Sequence, residues 1–190
     1  MDQPFLTFQT WYAEAAAREV DPARVVLATA DAHARPAARC VYFRGMVDSC
    51  LSFYTNYTSR KGRELAENPH AAMLFHWQQP NRQIRVEGPV RKMDQAGSAA
   101  YFAARERASQ LAAWASHQSD TLTGRDQLEA RFAERERQFA GREVPLPEFW
   151  GGYLLTPEYF EFWESRPHRM HERICWTRTG QAWARAMLSP

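Results

Sequence analysis

The sequence predicts an α+β fold built on a mostly antiparallel sheet, and three observations point there. Short apolar or β-branched runs cluster in two blocks, one before residue 92 and one after residue 152. The stretch 94–140 between them carries helical periodicity instead. Strands, then helices, then strands again describe α+β rather than alternating βαβ units. With no internal repeat or low-complexity tract, 1–190 is expected to form one domain. Its parts are an N-terminal helix in 1–22, a helical insertion at 94–140 and C-terminal strands at 150–190.

Phe5, Phe8, Trp11, Tyr12 and Ala15 recur at helical spacing, so the chain opens on an amphipathic helix that Asp21-Pro22 ends. Strands are expected at 25–30, 37–44, 50–55, 71–77 and 84–91, with a turn at Asp31-Ala32-His33-Ala34. A helix over 59–68 separates the third strand from the fourth, with Ser59 or Thr58 as its cap. Two more helices are expected at 99–114 and 123–140, the second opening on a Thr123/Asp126 capping box. After a loop at 141–152, strands return at 153–155, 159–163, 170–176 and 182–187. A sheet of seven or eight such strands can curl into a barrel.

Composition narrows the function. Lys and Arg total 24 against 22 Asp and Glu, a net charge of +2, which argues against a general nucleic-acid binder. Hydrophobic residues at 45% and aromatics at 13% exclude a disordered chain. No apolar run approaches the ~20 residues a membrane span needs, and the start Met1-Asp2-Gln3-Pro4 does not read as a secretory signal. Cys40, Cys50 and Cys175 are odd in number and form no C-x-x-C pair, so reduced thiols in the cytoplasm are expected. Of the basic residues only Lys61 and Lys92 are Lys. Arg-favouring base composition explains that skew, as does a need for forked donors to phosphate or carboxylate.

Four constellations carry possible chemistry. Thr58-Ser59-Arg60-Lys61-Gly62 opens a helix, where free N–H groups, the helix dipole and two full charges favour an anion. It is not a P-loop. Tyr101, Arg105 and Ser109, at steps of four, share a helical stripe and suit a phosphate ester. An ordinary amphipathic helix explains the same spacing. Arg169, His171 and Arg173 alternate along an expected strand, so they share a face and need an anion or acid among them. His168 and His171 would face opposite ways, so no metal is expected. Fourth, Arg39-Cys40-Val41-Tyr42-Phe43-Arg44 precedes Tyr54-Thr55-Asn56 on the next strand. Strict alternation puts Arg39 and Arg44 on opposite faces unless the strand bends or a ligand runs along its backbone.

In this order, these pieces resemble the FMN-dependent pyridoxine/pyridoxamine 5′-phosphate oxidase family, from about Val25 to Pro190. Arg82-Gln83, Trp114, Gln118-Ser119, Pro145-Leu146-Pro147, Phe149-Trp150-Gly151-Gly152, Glu161-Phe162-Trp163 and His168 to Arg173 extend the resemblance. It implies a split β-barrel homodimer with FMN at the subunit interface. It places Arg39, Cys40, Val41, Tyr42, Phe43, Arg44, Tyr54, Thr55, Ser59, Arg60 and Lys61 on FMN, the last two at its phosphate. Gln83, Gln118, Ser119, Trp163 and Arg173 would complete that site, some from the partner subunit. Tyr101, Arg105 and Ser109 would hold the substrate phosphate, while Arg44, Arg169 and His171 would lie at the reacting ring. The implied reaction oxidises pyridoxamine or pyridoxine 5′-phosphate to pyridoxal 5′-phosphate, with O2 becoming hydrogen peroxide.

Three departures bear on activity. Arg44 stands where the family usually has Lys. A basic N-terminal extension common in the family is not seen before Met1. Glu106 replaces the Pro of the family's Arg-Pro-x-x-Ser.

Overall fold

A computed structural model describes residues 2–190. Helix α1 (Gln3–Ala16) leads into β1 (Arg24–Ala30), β2 (Pro36–Tyr42), a short β3 (Met46–Val47) and β4 (Cys50–Asn56). Helix α2 (Arg60–Glu67) precedes β5 (His70–Trp77) and β6 (Arg82–Lys92). The insertion holds α3 (Gln95–Ala103), α4 (Arg107–Ala115) and α5 (Arg125–Gln138). The chain closes with β7 (Trp150–Leu155), β8 (Tyr159–Glu164), β9 (Glu172–Thr179) and β10 (Ala182–Met187).

Every strand pairing is antiparallel, and the main path runs β10-β9-β8-β6-β5-β1-β2. Strand β6 curls the sheet. Its first half pairs with β5 and β8, while Val90 to Lys92 pair with β7, which also pairs with β4. The result is the expected curled, half-closed barrel with helices around it. Its interior is a cluster that includes Leu27, Leu51, Phe53, Met73, Phe75, Ile84, Val86 and Phe160. Burying each large apolar side chain contributes roughly 1.5–3 kcal/mol.

Helix α1 seals one side. Phe8 meets Phe43 and Phe75 edge to face at 5.6 and 5.1 Å, and Trp11 meets Phe162 at 5.4 Å. A second cluster of Phe102, Leu111, Phe139, Val144 and Trp150 joins the helical insertion to β7. Ser59 caps α2 as expected, accepting from the Gly62 N–H at 3.3 Å. Position 62 excludes any side chain, because a Cβ there would sit 2.2 Å from the Tyr57 carbonyl oxygen.

Four expectations are corrected. The single helix over 99–114 breaks at Ala104 to Glu106. Tyr101, Arg105 and Ser109 therefore occupy α3, the break and α4 rather than one stripe. The capping box at Thr123 does not form, since Gly124 is the cap and Thr123 bonds to Gln127 instead. Strand β7 begins at Trp150, so the loop is three residues shorter than its composition implied. Strand β9 begins at Glu172, because Pro167 to Arg169 form a 3-10 turn with His168 and Arg169 at φ 58° and 61°. Such left-handed backbone cannot continue a strand. Arg169 and His171 thus lie outside the alternating strand that was expected to align them with Arg173.

Candidate functional site

A cavity of about 350 Å³ opens between β2, β4, the start of α2 and the α3–α4 pair. Its lining includes Cys40, Val41, Tyr42, Arg44, Tyr54, Thr55, Lys61, Tyr101, Arg105, Ser109 and Gln118. The helix break thus delivers what the stripe could not, and Tyr101, Arg105 and Ser109 converge from three backbone segments.

Three cations and no carboxylate line this cavity. Lys61 is 8% exposed, and its Nζ donates to Gln118 Oε1 at 2.8 Å, Thr55 Oγ1 at 3.1 Å and Ser59 Oγ at 3.4 Å. Burial, with the Arg39 charge adding to it, lowers its pKa from 10.5 to about 8. Arg105 is half-buried, and its Nη1 is enclosed without a hydrogen-bond partner. Burial also pushes the Arg105 pKa down, and Arg44 pushes the same way. Among the described residues no carboxylate forms an ion pair with Arg44, Lys61 or Arg105. A buried ammonium with only neutral partners and an enclosed guanidinium N–H with none call for an anion.

Flat rings complete the wall. Tyr54 stacks on Tyr101 at 3.8 Å and 11°, and Trp150 lies near-parallel to Tyr54 at 5.6 Å. Arg44 lies 4.7 Å from the centre of the Tyr42 ring and 6.0 Å from that of Tyr101. The cavity therefore offers a cationic end for phosphate and aromatic and guanidinium planes for a flat ring. That donor set fits FMN and a phosphorylated ring compound.

Other expected residues lie elsewhere. Arg39 bonds to Thr29 and pairs with Glu64 at 3.0 Å, outside the cavity. Arg60 turns its side chain to Glu64 at 2.8 Å, while its N–H donates to Ser119 Oγ at 3.1 Å. The Phe43 ring is buried in the core against Phe8. Ser59 is spent on the helix cap and on Lys61.

A second group is assembled on the sheet. Gln83, Trp163 and Arg173 are register partners in one row across β6, β8 and β9. The His171 ring lies 4.6 Å from that of Trp163. Arg173 donates to Glu161 Oε1 at 2.7 Å and to the Ser189 carbonyl at 3.0 Å. Glu161 is the acidic partner of Arg173 alone, among the three basic residues expected to share one. Neither Arg169 nor any residue of this row lines the cavity.

Residues 13–139 match the pyridoxamine 5′-phosphate oxidase family, and 150–190 match the pyridoxine 5′-phosphate oxidase C-terminal dimerisation region. The chain belongs to this family. A pyridoxine/pyridoxamine 5′-phosphate oxidase of Sphingopyxis alaskensis is 50% identical over 190 residues, covering 100% of this chain and 88% of the relative. One from Rubrobacter xylanophilus is 47% identical over 188 residues, covering 98% and 87%. PhzG of Burkholderia lata, solved with tetrahydrophenazine-1-carboxylic acid, has a TM-score of 0.93 at 33% identity, covering 100% of this chain and 94% of its own. An FMN-binding pyridoxamine 5′-phosphate oxidase-related protein of Nostoc punctiforme shares the fold, with a TM-score of 0.79 at 19% identity over 100% and 98%. The pyridoxamine 5′-phosphate oxidase family membership makes this chain an oxidoreductase with FMN as its cofactor. The split-barrel expectation stands with it. Among the described residues no helix is long and apolar enough to cross a membrane.

Sequence reading passed over Asn56, Ser116 and Trp150 as site residues, though all three line the cavity. Trp150 sat in the quoted Phe149-Trp150-Gly151-Gly152 motif, but the neighbouring prolines made that motif read as loop.

Proposed function

We propose that this chain oxidises pyridoxamine or pyridoxine 5′-phosphate to pyridoxal 5′-phosphate as a homodimer, with O2 as the final acceptor. The observation that carries the reading is the carboxylate-free cavity on which Tyr101, Arg105 and Ser109 converge. The chemistry supplied by bound FMN would be hydride acceptance from the substrate C4′ carbon and transfer of the two electrons to O2, which with two protons becomes hydrogen peroxide.

The residues divide the remaining work. Lys61 holds the FMN phosphate, joined by Arg60 once its side chain leaves Glu64, while Thr55 and Gln118 fix the ammonium. Arg105 grips the substrate phosphate, with Tyr101 and Ser109 donating hydroxyls. Arg44 supplies fixed positive charge beside the ring, with a planar fork where the family's Lys is a point charge. The row of Gln83, Trp163 and Arg173, with His171 and Arg169, serves the partner subunit's cavity. Its separation from this chain's own cavity and the match of 150–190 to a dimerisation region support that division. Arg169 clamps the substrate, and His171 orients the reacting side or takes the proton from the amine or hydroxyl on the reacting carbon. Both matched regions contribute strands to one sheet, which supports reading 1–190 as one domain. Three free cysteines support a cytoplasmic setting.

The test uses purified protein with its flavin spectrum. Anaerobic addition of pyridoxamine 5′-phosphate is expected to bleach the flavin, and air to yield pyridoxal phosphate and peroxide. A yellow protein that neither B6 phosphate bleaches would sink the reading. It would favour a flavin oxidoreductase with another ring substrate, the class suggested by likeness to PhzG. A protein that binds flavin or pyridoxal phosphate and turns over no ring substrate of either kind would be a binding module instead.

A further inference from the structure

We infer that Trp150 is a positioning residue that aims the Arg105 guanidinium at the substrate phosphate. The inference rests on the phosphate-gripping role proposed for Arg105. Arg105 lies in the break between α3 and α4, where its backbone N–H donates to the Phe102 carbonyl at 3.1 Å, but no carboxylate fixes its side chain. What it does have is a platform: its Cζ lies 4.7 Å from the centre of the Trp150 ring, with the Phe102 ring 5.8 Å away. A guanidinium laid against an indole face keeps its orientation and charge without using a donor, so its N–H groups remain free for an anion. The enclosed, unpartnered Nη1 is such a donor.

Trp150 is itself immobilised. It is 8% exposed, pairs in register with Asn56 of β4, and donates its backbone N–H to the Pro147 carbonyl at 3.1 Å. Phe102 braces it edge-on at 5.2 Å, and Tyr54 and Tyr101 lie near-parallel at 5.6 and 6.3 Å. The indole thus ties Arg105 to the strand that carries Tyr54 and to the phenol of Tyr101, which lines the same cavity. An aliphatic residue at 150 fills space but offers no face.

The experiment measures equilibrium binding of pyridoxal 5′-phosphate and of phosphate-free pyridoxal to the holoenzyme, alongside KM and kcat. Flavin content and thermal unfolding report folding. Trp150→Leu is expected to weaken pyridoxal phosphate binding and raise KM on the order of 10-fold, with a clearly smaller loss for phosphate-free pyridoxal. Trp150→Phe keeps a weaker face and restores most of the affinity, to within about 3-fold of wild type. In an Arg105→Ala background, Trp150→Phe is expected to change phosphate-ligand binding no further, a result readable even if Trp150→Leu does not fold. Arg105→Ala binding pyridoxal phosphate like wild type would overturn the phosphate role on which the inference rests. Arg105→Ala weakening it while the Trp150 variants bind normally would overturn the positioning role alone. Equal loss of pyridoxal and pyridoxal phosphate in the Trp150 variants would also overturn it, as general damage to the cavity.

Discussion

Replacing Lys61 with Met is expected to stabilise the flavin-free chain at pH 7 while destroying its affinity for flavin phosphate. The Lys61 ammonium is buried beside Arg39 and has no carboxylate partner, only the neutral oxygens of Gln118, Thr55 and Ser59. Its pKa falls from 10.5 to about 8, and at about 1.4 kcal/mol per pH unit that costs the folded state about 3 kcal/mol. Water at the cavity mouth screens the charge and trims the figure to about 2 kcal/mol. Methionine removes the charge, and Thr55 Oγ1 still donates to Gln118 Oε1 at 2.8 Å, so that acceptor keeps a partner. The sign with pH is definite. Below pH 8 Lys61 is protonated in both states and the cost is complete. Between pH 8 and 10.5 the folded chain sheds this proton while the unfolded chain keeps it, so wild-type stability rises towards that of the variant. Urea unfolding of both flavin-free proteins at pH 7, 8.5 and 10 measures the gap. A Met variant less stable than wild type at pH 7, or a gap that does not narrow with pH, would refute the reasoning.

Two further outcomes follow from the same geometry. Glu106 is the N-cap of α4 at φ −55°, within the range that proline imposes, so Glu106→Pro is expected to raise stability by about 0.4–1 kcal/mol through the unfolded chain. Chemical denaturation checks it, and a loss of stability would show that the Arg105 backbone cannot precede proline. Burial pushes the Glu64 carboxyl up, but hydrogen bonds from Thr29, Arg60 and Arg39 outweigh that and hold it below its ordinary value. Its stabilisation is complete above the unfolded-state pKa and is lost as pH falls through the lowered folded value. Glu64→Gln leaves Arg39 without its carboxylate and is expected to cost about 3 kcal/mol near neutrality. The deficit should shrink in acid, as read by thermal unfolding at pH 7 and pH 3.

The strands and the residues proposed to hold phosphate were legible because each rests on local pattern. Strand β5 alternates buried and exposed side chains, and Ser59 precedes the helix it caps. The break at Ala104 to Glu106 was not legible, since Arg105-Glu106-Arg107 carries neither Gly nor Pro and Ala-rich flanks favour continuation. What bends the chain there is tertiary: Phe102 and Leu111 must both enter the cluster around Trp150. The same limit hid Trp150, whose role comes from rings on β4 and α3 that lie far from it in sequence. The turn at His168 and Arg169 likewise depends on left-handed backbone that their residue types do not announce.

Charge pairing gives the arginine-rich composition its structural meaning. Away from the cavity, Arg39, Arg82, Arg85 and Arg173 each sit on a carboxylate, so the fold neutralises them internally. Arg44, Lys61 and Arg105 line the cavity without an acid, and the repulsion of Arg105 by Arg44 and of Lys61 by Arg39 weighs against the folded chain until an anion enters. A ligand that binds only the folded state returns that energy as stability. Phosphate affinity and fold stability are therefore coupled through the same three side chains. A variant that relieves the repulsion by inserting a carboxylate should gain stability in the flavin-free state and lose it in the presence of flavin. The cavity is thus held in an unsatisfied state, while the buried carboxylates Glu64 of α2 and Glu161 of β8 are spent on arginines outside it.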